Sequence, residues 1–161
     1  MRLALFQPDI PQNLGAAIRL CACLAVSLDV IEPCAFPLSD KSLKRAALDY
    51  GDKAQIRLHS GWTAFLQARE RADGRLILFT TTGARPYSGF GYAAGDTLLF
   101  GRESAGVPPE VHDAADARLY IPMAPAPGLR SLNVVTSAAM ALGEALGRTG
   151  GFAVSSPGPT S

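Results

Sequence analysis

Short apolar runs alternate with longer amphipathic segments along this chain. The apolar runs are bounded by turn-forming residues and have the length of buried strands. They predict strands over Arg2–Phe6, Leu28–Glu32, Gln55–His59, Leu76–Thr81, Thr97–Phe100 and Arg118–Ile121. Helical spacing of apolar residues predicts helices over Leu14–Val26, Lys41–Tyr50, Gly61–Ala72, Pro109–Asp113 and Leu132–Arg148. Because strands and helices alternate, the pattern predicts an α/β fold, with a mainly parallel sheet and helices on both faces.

The length of the chain, 161 residues, favours one domain with a workable core. No internal repeat interrupts it, and we expect a single domain over residues 1–148. The segment 149–161 is rich in Gly, Pro and Ser and predicts a disordered tail.

Composition narrows the classes of function. The chain is 48% hydrophobic and 18% charged, a composition that buried parallel strands would explain. Its net charge of +1 gives no global basic field, so any nucleic-acid site must be a local patch. No apolar run reaches membrane-spanning length. The three cysteines, Cys21, Cys23 and Cys34, favour reduced thiols in a cytoplasm, and the isolated His59 and His112 predict no metal site.

Three loops follow predicted strands and could meet at one edge of a parallel sheet, where such proteins bind ligands. The first, residues 7–13, leads to Asn13, which we expect to cap the next helix, and then to Arg19. From spacing alone, Arg19 is either a solvated arginine or a residue placed for chemistry. The second, Gly101–Pro108, is either a tight turn or a backbone cradle for a small ligand. It matches neither the dinucleotide fingerprint nor the Walker loop.

The third loop is stiffened by prolines and ends at a helix start. It runs from Tyr120 to Asn133, and Ser131 is the expected N-cap of the last helix. An apolar loop of this kind can enclose a flat ring such as adenine and leave backbone groups free to hydrogen-bond it.

These segments, in this order, resemble the SPOUT superfamily of RNA methyltransferases, and the TrmL-like tRNA 2'-O-methyltransferases in particular. The resemblance extends from Leu3 to about Arg148. The stretches that carry it are Pro11–Gly15, Ile18–Ala22, Asp40–Lys41, Arg45–Ala46, Leu48–Tyr50, Phe100–Pro108, Ile121–Met123 and Arg130–Asn133.

The resemblance implies a C-terminal trefoil knot that binds S-adenosyl-L-methionine, and a homodimer whose active site is completed across subunits. It implies 2'-O-methylation of a tRNA ribose at the wobble nucleotide, position 34, which is a cytidine or a modified uridine. No metal and no membrane are implied, and the expected location is the cytoplasm.

Site residues are carried over by position from the same resemblance. Those expected at the cofactor are Phe79, Gly101, Ile121 and Ser131. Those expected to be catalytic are Arg19, Asn13, Glu103 and Asn133. Within this set, Arg19 is expected to clamp RNA phosphate and stabilise the developing alkoxide, because a guanidinium holds its proton too tightly to be the base. Glu103 either contacts substrate or orients Asn13 or a loop amide.

A final group of basic residues is expected to contact RNA, or else to form a solvated helix face: Lys41, Lys44, Arg45 and Arg130. Ala16, Val135 and Thr136 depart from residues common in the family. Three alternatives therefore stay open: a methyltransferase for rRNA or another tRNA position, a non-catalytic module that binds S-adenosylmethionine and RNA, and an ordinary nucleotide-binding domain.

Overall fold

The computed structural model of the chain describes residues 1–38, 50, 55–69, 74–83, 85–125, 127–128 and 131–152. Within these residues, seven parallel strands form one sheet in the order β3-β2-β1-β6-β4-β7-β5. Their bounds are β1 Arg2–Phe6, β2 Ser27–Ile31, β3 Ile56–His59, β4 Leu76–Phe79, β5 Arg85–Pro86, β6 Thr97–Phe100 and β7 Ala117–Tyr120. The predicted parallel α/β architecture is confirmed.

In the part of the chain that the structure describes, two hydrophobic cores lie one on each face of the sheet, and they explain the continuous apolar strands. Leu3 and Leu5 of β1 point into one core, while Ala4 and Phe6 point into the other. A strand that is covered on both faces has no polar side, so its sequence reads as an unbroken apolar run.

Four helices cover these faces in the described part of the chain. They are α1 Pro11–Leu24, α2 Trp62–Arg69, α3 Pro109–Asp113 and α4 Val134–Thr149. α1 and α4 lie on the face of Leu3 and Leu5. Phe65 of α2 and Val111 of α3 are buried on the other face. Of the predicted helix Lys41–Tyr50, only Tyr50 lies within the described residues.

Both expected helix caps are wrong, for a physical reason in each case. α1 begins at Pro11, a residue whose fixed φ suits the first helical position, so Asn13 lies inside the first turn. α4 is capped by Asn133, whose side chain accepts hydrogen bonds from the amides of Val135 and Thr136. Ser131 therefore lies before the cap. The Asn13 side chain is held instead by Glu103 and Asn133.

The strand β4 ends two residues earlier than predicted. The hydroxyl of Thr80 lies 3.2 Å from that of Thr82 and accepts the amide of Thr82 at 3.3 Å. This local turn ends the strand after the Thr80 amide has donated to the Leu119 carbonyl of β7 at 2.9 Å. Beyond it, the two-residue strand β5 pairs with β7 at the sheet edge, and its sequence carries no strand signal.

A segment over residues 87–92 connects the edge strand β5 to the central strand β6 and contacts α4 on the way. The amide of Gly89 donates to Glu144 of α4 at 3.1 Å, and Tyr87, Phe90 and Tyr92 pack against the core that α4 also covers. At the far end, Arg75 anchors the segment: it pairs with buried Asp96 at 2.7 Å. The same guanidinium donates to the Gly91 carbonyl at 2.7 Å.

At the end of the chain, α4 finishes at Thr149, and Gly150 adopts the left-handed conformation that terminates a helix. Of the predicted tail, residues 149–152 are described, and 153–161 lie outside the described residues.

Candidate active site

A pocket of about 610 Å³ opens at the carboxyl ends of β4, β6 and β7, beside the first turns of α1 and α4. This is the edge of a parallel sheet where ligands bind, and the volume is that of a typical small-molecule site. Its lining includes Ile10, Asn13, Phe79–Thr81, Phe100–Val107, Ile121, Met123, Ser131–Val134 and Ser137.

All four residues expected at the cofactor lie in this lining: Phe79, Gly101, Ile121 and Ser131. They come from three different loops or strand ends, and the sheet order brings them together. The rings of Phe79 and Phe100 are stacked, with their centroids 4.7 Å apart. The pocket thus has an apolar aromatic side next to the open backbone of the loop after β6.

Gly101 has a steric role that no other residue could fill. The loop folds back on itself, with amide–carbonyl bonds of 2.9 Å in both directions between Arg102 and Gly106. A Cβ on Gly101 would lie 2.6 Å from the carbonyl carbon of Gly106. Because real atoms do not approach so closely, the loop backbone can keep this shape only with glycine at the first position.

A chain of hydrogen bonds joins the three loops at the mouth of the pocket. The amide nitrogen of Asn13 donates to Glu103 Oε1 at 2.6 Å, and the amide nitrogen of Asn133 donates to Asn13 Oδ1 at 3.0 Å. Asn133 Oδ1 then accepts the amides at the start of α4. Asn13 is therefore in direct contact with two other residues expected to be catalytic, Glu103 and Asn133.

The donor-to-acceptor direction of this series of hydrogen bonds is fixed at both ends. The helix amides can only donate, so Asn133 must turn its oxygen toward them and its nitrogen toward Asn13. The Glu103 carboxylate accepts, so Asn13 must turn its nitrogen toward it. Flipping either amide would place two donors or two acceptors together. The chain therefore holds Asn13 in a single orientation.

Asp9 completes this arrangement and was missed by the sequence reasoning. Its carboxylate accepts the amides of Glu103 and Ser104, each at 3.2 Å, and the Ser104 hydroxyl. Its own amide donates to Glu103 Oε2 at 3.4 Å. The only signal in the sequence was an acidic residue in a loop after a strand, and that signal does not reveal amides 94 residues away. We call Asp9, Asn13, Glu103 and Asn133 the pocket cluster.

The two carboxyl groups of the pocket cluster have opposite shifts. Hydrogen bonding with the Glu103 carboxyl lowers the pKa of Asp9 to about 2, and the Ser104 donors add to this. Burial, followed by the interaction with Asp9, raises the pKa of Glu103 above its usual range. Neighbouring carboxyls resist ionising together, so the more solvated and better hydrogen-bonded Asp9 ionises at a lower pH than Glu103.

Arg19 lies away from these contacts. It is exposed on α1 and is not among the residues that line the pocket. Its guanidinium carbon lies 5.0 Å from the centre of the Tyr50 ring, and one nitrogen is 3.5 Å from the Tyr50 hydroxyl. Within one chain, the structure does not bring Arg19 to the other residues expected to be catalytic.

The residues expected to contact RNA, Lys41, Lys44, Arg45 and Arg130, lie outside the described residues. Within the described ranges, no group of three or more His, Cys, Asp and Glu side chains is arranged to hold a metal ion. None of the helices described has the length and apolarity needed to cross a membrane.

The sequence profile of the SpoU rRNA Methylase family matches residues 1–143. A protein of Beijerinckia indica, called tRNA (cytidine(34)-2'-O)-methyltransferase, is 50% identical to this chain over 151 residues, which cover 94% of the chain and 93% of that protein.

Two solved structures extend the comparison. One, concerned with 2-OH methylation of C/U34 on tRNA, superimposes with a TM-score of 0.83 at 41% identity and covers 91% of this chain and 94% of its own. The other, an AdoMet-bound rRNA methyltransferase from Sinorhizobium meliloti, has a TM-score of 0.79 at 25% identity and covers 90% of this chain and 55% of its own.

Proposed function

The chain belongs to the SpoU rRNA methylase family, and from that premise we propose that it methylates the 2'-hydroxyl of nucleotide 34 in tRNA, with S-adenosylmethionine as donor. The observation that carries the proposal is the 50% identity, over nearly the full length of both chains, to a protein called tRNA (cytidine(34)-2'-O)-methyltransferase. The expected nucleotide is a cytidine or a modified uridine.

The pocket fits the proposed donor. Its volume suits a nucleoside-sized molecule, Phe79 and Ile121 supply apolar surface for a flat ring, and the backbone near Gly101 and Ser131 offers hydrogen-bonding groups. When bound, S-adenosylmethionine supplies a methyl group that its sulfonium already activates. The protein then has to place the ribose hydroxyl in line with that methyl group and assist loss of its proton.

The pocket cluster orients the groups around the reacting hydroxyl. Asn13 is nearly buried, and both ends of its amide are engaged, so it presents a fixed dipole at the pocket mouth. Glu103 holds Asn13, and Asn133 links Asn13 to the amino end of α4. We assign to Glu103 the orienting role, because its closest side-chain contact is Asn13 at 2.6 Å.

Arg19 is proposed to clamp an RNA phosphate and stabilise the alkoxide that develops on the ribose oxygen. It follows Asn13 by six residues (13 to 19), about 9 Å along α1. We infer that two copies of the chain pair so that Arg19 of one copy serves the pocket of the other. This arrangement reconciles an exposed Arg19 with a catalytic role.

We further propose that the C-terminal part of the chain is threaded as a trefoil knot. The segment 87–92 contacts α4 through Gly89, and α4 packs against α1 and β6. If the polypeptide threads through the loop that contains this segment before it forms α4, the chain is knotted. We also infer one methyltransferase domain over residues 1–148, acting on tRNA in the cytoplasm.

The test is methyl transfer by the purified protein to tRNA with C34 or U34, followed by mass-spectrometric mapping of nuclease fragments. A single 2'-O-methyl group is expected at nucleotide 34. The matched control is the same tRNA with a 2'-deoxyribose at position 34, which should accept nothing. Methylation elsewhere would contradict the assigned position, and methylation of rRNA instead would contradict the substrate. Cofactor binding without transfer would indicate a binding module.

A further inference from the structure

Arg102 is the one cationic residue among the described residues that line the pocket. It is exposed on the loop after β6, next to Glu103, and no role was expected for it from the sequence. Since the chain as a whole carries a net charge of only +1, an anion at the rim would be attracted by local cations such as Arg102 and not by a global basic field.

The Arg102 guanidinium is held by neutral groups. It lies over the Phe6 ring, 5.7 Å from the ring centre, and donates to the side-chain oxygen of Gln7. No described carboxylate lies within 4.0 Å of it, in contrast to Arg2, Arg75 and Arg148. Partners of this kind fix the direction of the guanidinium without neutralising its charge, which leaves the charge available to an anion.

Gln7 is itself held in an unusual conformation. Its φ is +47°, in the left-handed region that residues other than glycine rarely adopt. Its backbone amide donates to the Ile31 carbonyl at 2.8 Å, and its side-chain nitrogen donates to the Glu32 carbonyl at 3.4 Å. These bonds leave the side-chain oxygen directed at Arg102. Backbone strain retained beside a pocket is a reason to look for a function there.

We propose that Arg102 binds a backbone phosphate of the RNA substrate at the rim of the pocket, and that Gln7 is the residue that positions it. The inference rests on the proposed function, since it takes tRNA as the substrate. Phosphate is the anion that a planar, pre-oriented guanidinium recognises best. The exposure of Arg102 favours a large substrate lying across the rim over a small molecule enclosed in the pocket.

The experiment measures how tightly the purified protein, in the oligomeric state it adopts, binds an unmodified tRNA transcript at a series of KCl concentrations. In Arg102→Ala the dissociation constant should rise about five- to tenfold at low salt. The slope of log affinity against log salt concentration should become less steep by about 0.7 to 1. This change corresponds to the loss of one phosphate contact. Arg102→Lys should keep the slope and recover part of the affinity, because it keeps the charge but loses the planar donors.

Gln7→Glu distinguishes phosphate binding by Arg102 from a purely structural role of Arg102 in its loop. The new carboxylate would pair with Arg102 and neutralise it in place, so tRNA binding should weaken as in Arg102→Ala while the protein stays folded. If Arg102 only supported the loop, this ion pair would leave tRNA binding unchanged. Arg118→Ala is the matched control: Arg118 is also exposed but lies on β7 and does not line the pocket, and its removal should leave the slope near the wild-type value.

Unchanged affinity and slope in Arg102→Ala would overturn the proposal. So would a rise confined to the dissociation constant for S-adenosylmethionine, measured by calorimetry, since Arg102 would then bind the carboxylate of that molecule. The proposed function can fail separately. If the salt slope changes as expected between wild type and Arg102→Ala but the wild-type protein does not methylate nucleotide 34, the activity is refuted and the phosphate contact stands.

Discussion

Asp29 and Glu103 are both held by side chains from distant parts of the chain, but their surroundings differ. Asp29 is almost fully buried within β2, where Arg2 donates to both of its oxygens at 2.7 Å and His59 Nε2 lies 2.7 Å from Oδ1. We call Arg2, Asp29 and His59 the sheet cluster. Glu103 lines the pocket, and its side-chain donor, Asn13, is neutral.

The difference shows how to separate polar groups that stabilise a fold from those that act on a ligand. In the sheet cluster, the carboxylate and guanidinium charges meet each other inside the protein, and the Phe65 ring, 5.3 Å from that of His59, helps to enclose them. In the pocket cluster, neutral amides fix geometry beside an open cavity. Disrupting the first cluster should therefore affect stability, and disrupting the second should affect catalysis.

The largest expected effect is on stability, from Asp29→Asn. The substitution keeps the shape but removes the charge that balances Arg2, and breaking a buried pair in this way costs about 3 kcal/mol of unfolding free energy. Urea denaturation measures it. The folded variant should bind S-adenosylmethionine with wild-type affinity. The control, Glu144→Gln, breaks the solvent-exposed pair with Arg148 and should have a much smaller effect.

Arg19→Ala tests whether catalysis extends beyond the pocket cluster. Turnover should fall by about 10²- to 10³-fold, the usual loss when a group that stabilises developing charge is removed. Cofactor affinity should stay close to wild type, because Arg19 does not line the pocket. Single-turnover methylation and calorimetry separate the two readouts. Wild-type turnover in the variant would remove Arg19 from the mechanism.

Asn13→Ala breaks the pocket cluster at its centre. It removes the donor to Glu103 Oε1 and the acceptor of the Asn133 amide nitrogen, and each buried group left unsatisfied costs about 1–3 kcal/mol. If that loss is felt mainly in the transition state, kcat/KM should drop by about 10- to 100-fold.

Asn133→Ser is the companion variant to Asn13→Ala. Serine can still cap α4 but cannot reach Asn13, so activity should fall while thermal stability stays near wild type. Loss of stability without loss of activity in either variant would contradict the assignment of the pocket cluster to catalysis.

The smallest effect concerns pH. The folded pKa of Asp9, about 2, lies below its unfolded value. Asp9 therefore contributes stability above about pH 4, the ordinary aspartate range, and this contribution is lost as the pH falls toward 2. Relative to wild type, Asp9→Asn should be less stable at pH 7, and the gap should narrow on acidification. Asp113→Asn, at the exposed end of α3, serves as the control for a carboxylate outside the cluster.

The raised pKa of Glu103 works in the opposite direction. Folding favours its protonated form relative to the unfolded chain, so its contribution to stability is present at low pH and lost as the pH rises through its folded pKa. Asp9→Asn removes the neighbouring charge and should lower the pKa of Glu103. A gap between wild type and Asp9→Asn that widens in acid would show that Glu103 dominates the pair.

Much of the fold could be predicted because it depends on near neighbours in the chain. The strands Arg2–Phe6 and Thr97–Phe100 and the helix Pro109–Asp113 have the predicted bounds. A strand buried on both faces must be apolar throughout, and that requirement is visible in four or five consecutive residues. The four pocket residues Phe79, Gly101, Ile121 and Ser131 were found through their resemblance to a known family, since periodicity alone gives them no role.

The features that the sequence did not predict depend on contacts between residues that are far apart in the chain. Asn13 could cap a helix or bond a carboxylate with equal chemical ease, and its partner Glu103 lies 90 residues away. Asp9 and Arg102 gain their places from partners 94 and 95 residues distant. The strand Arg85–Pro86 forms only because β7 offers its backbone at the sheet edge.

The sequence by itself therefore determined the alternation of strands and helices, the parallel sheet and, through motif order, the family. The tertiary structure alone decided which loops share a pocket, which amide faces which carboxylate, and which arginine stands at the rim. The physical reason is the separation along the chain of the residues that interact. Burial and periodicity are set by residues close together in the chain, whereas the site depends on strand order, which places residues 9, 13, 103 and 133 side by side.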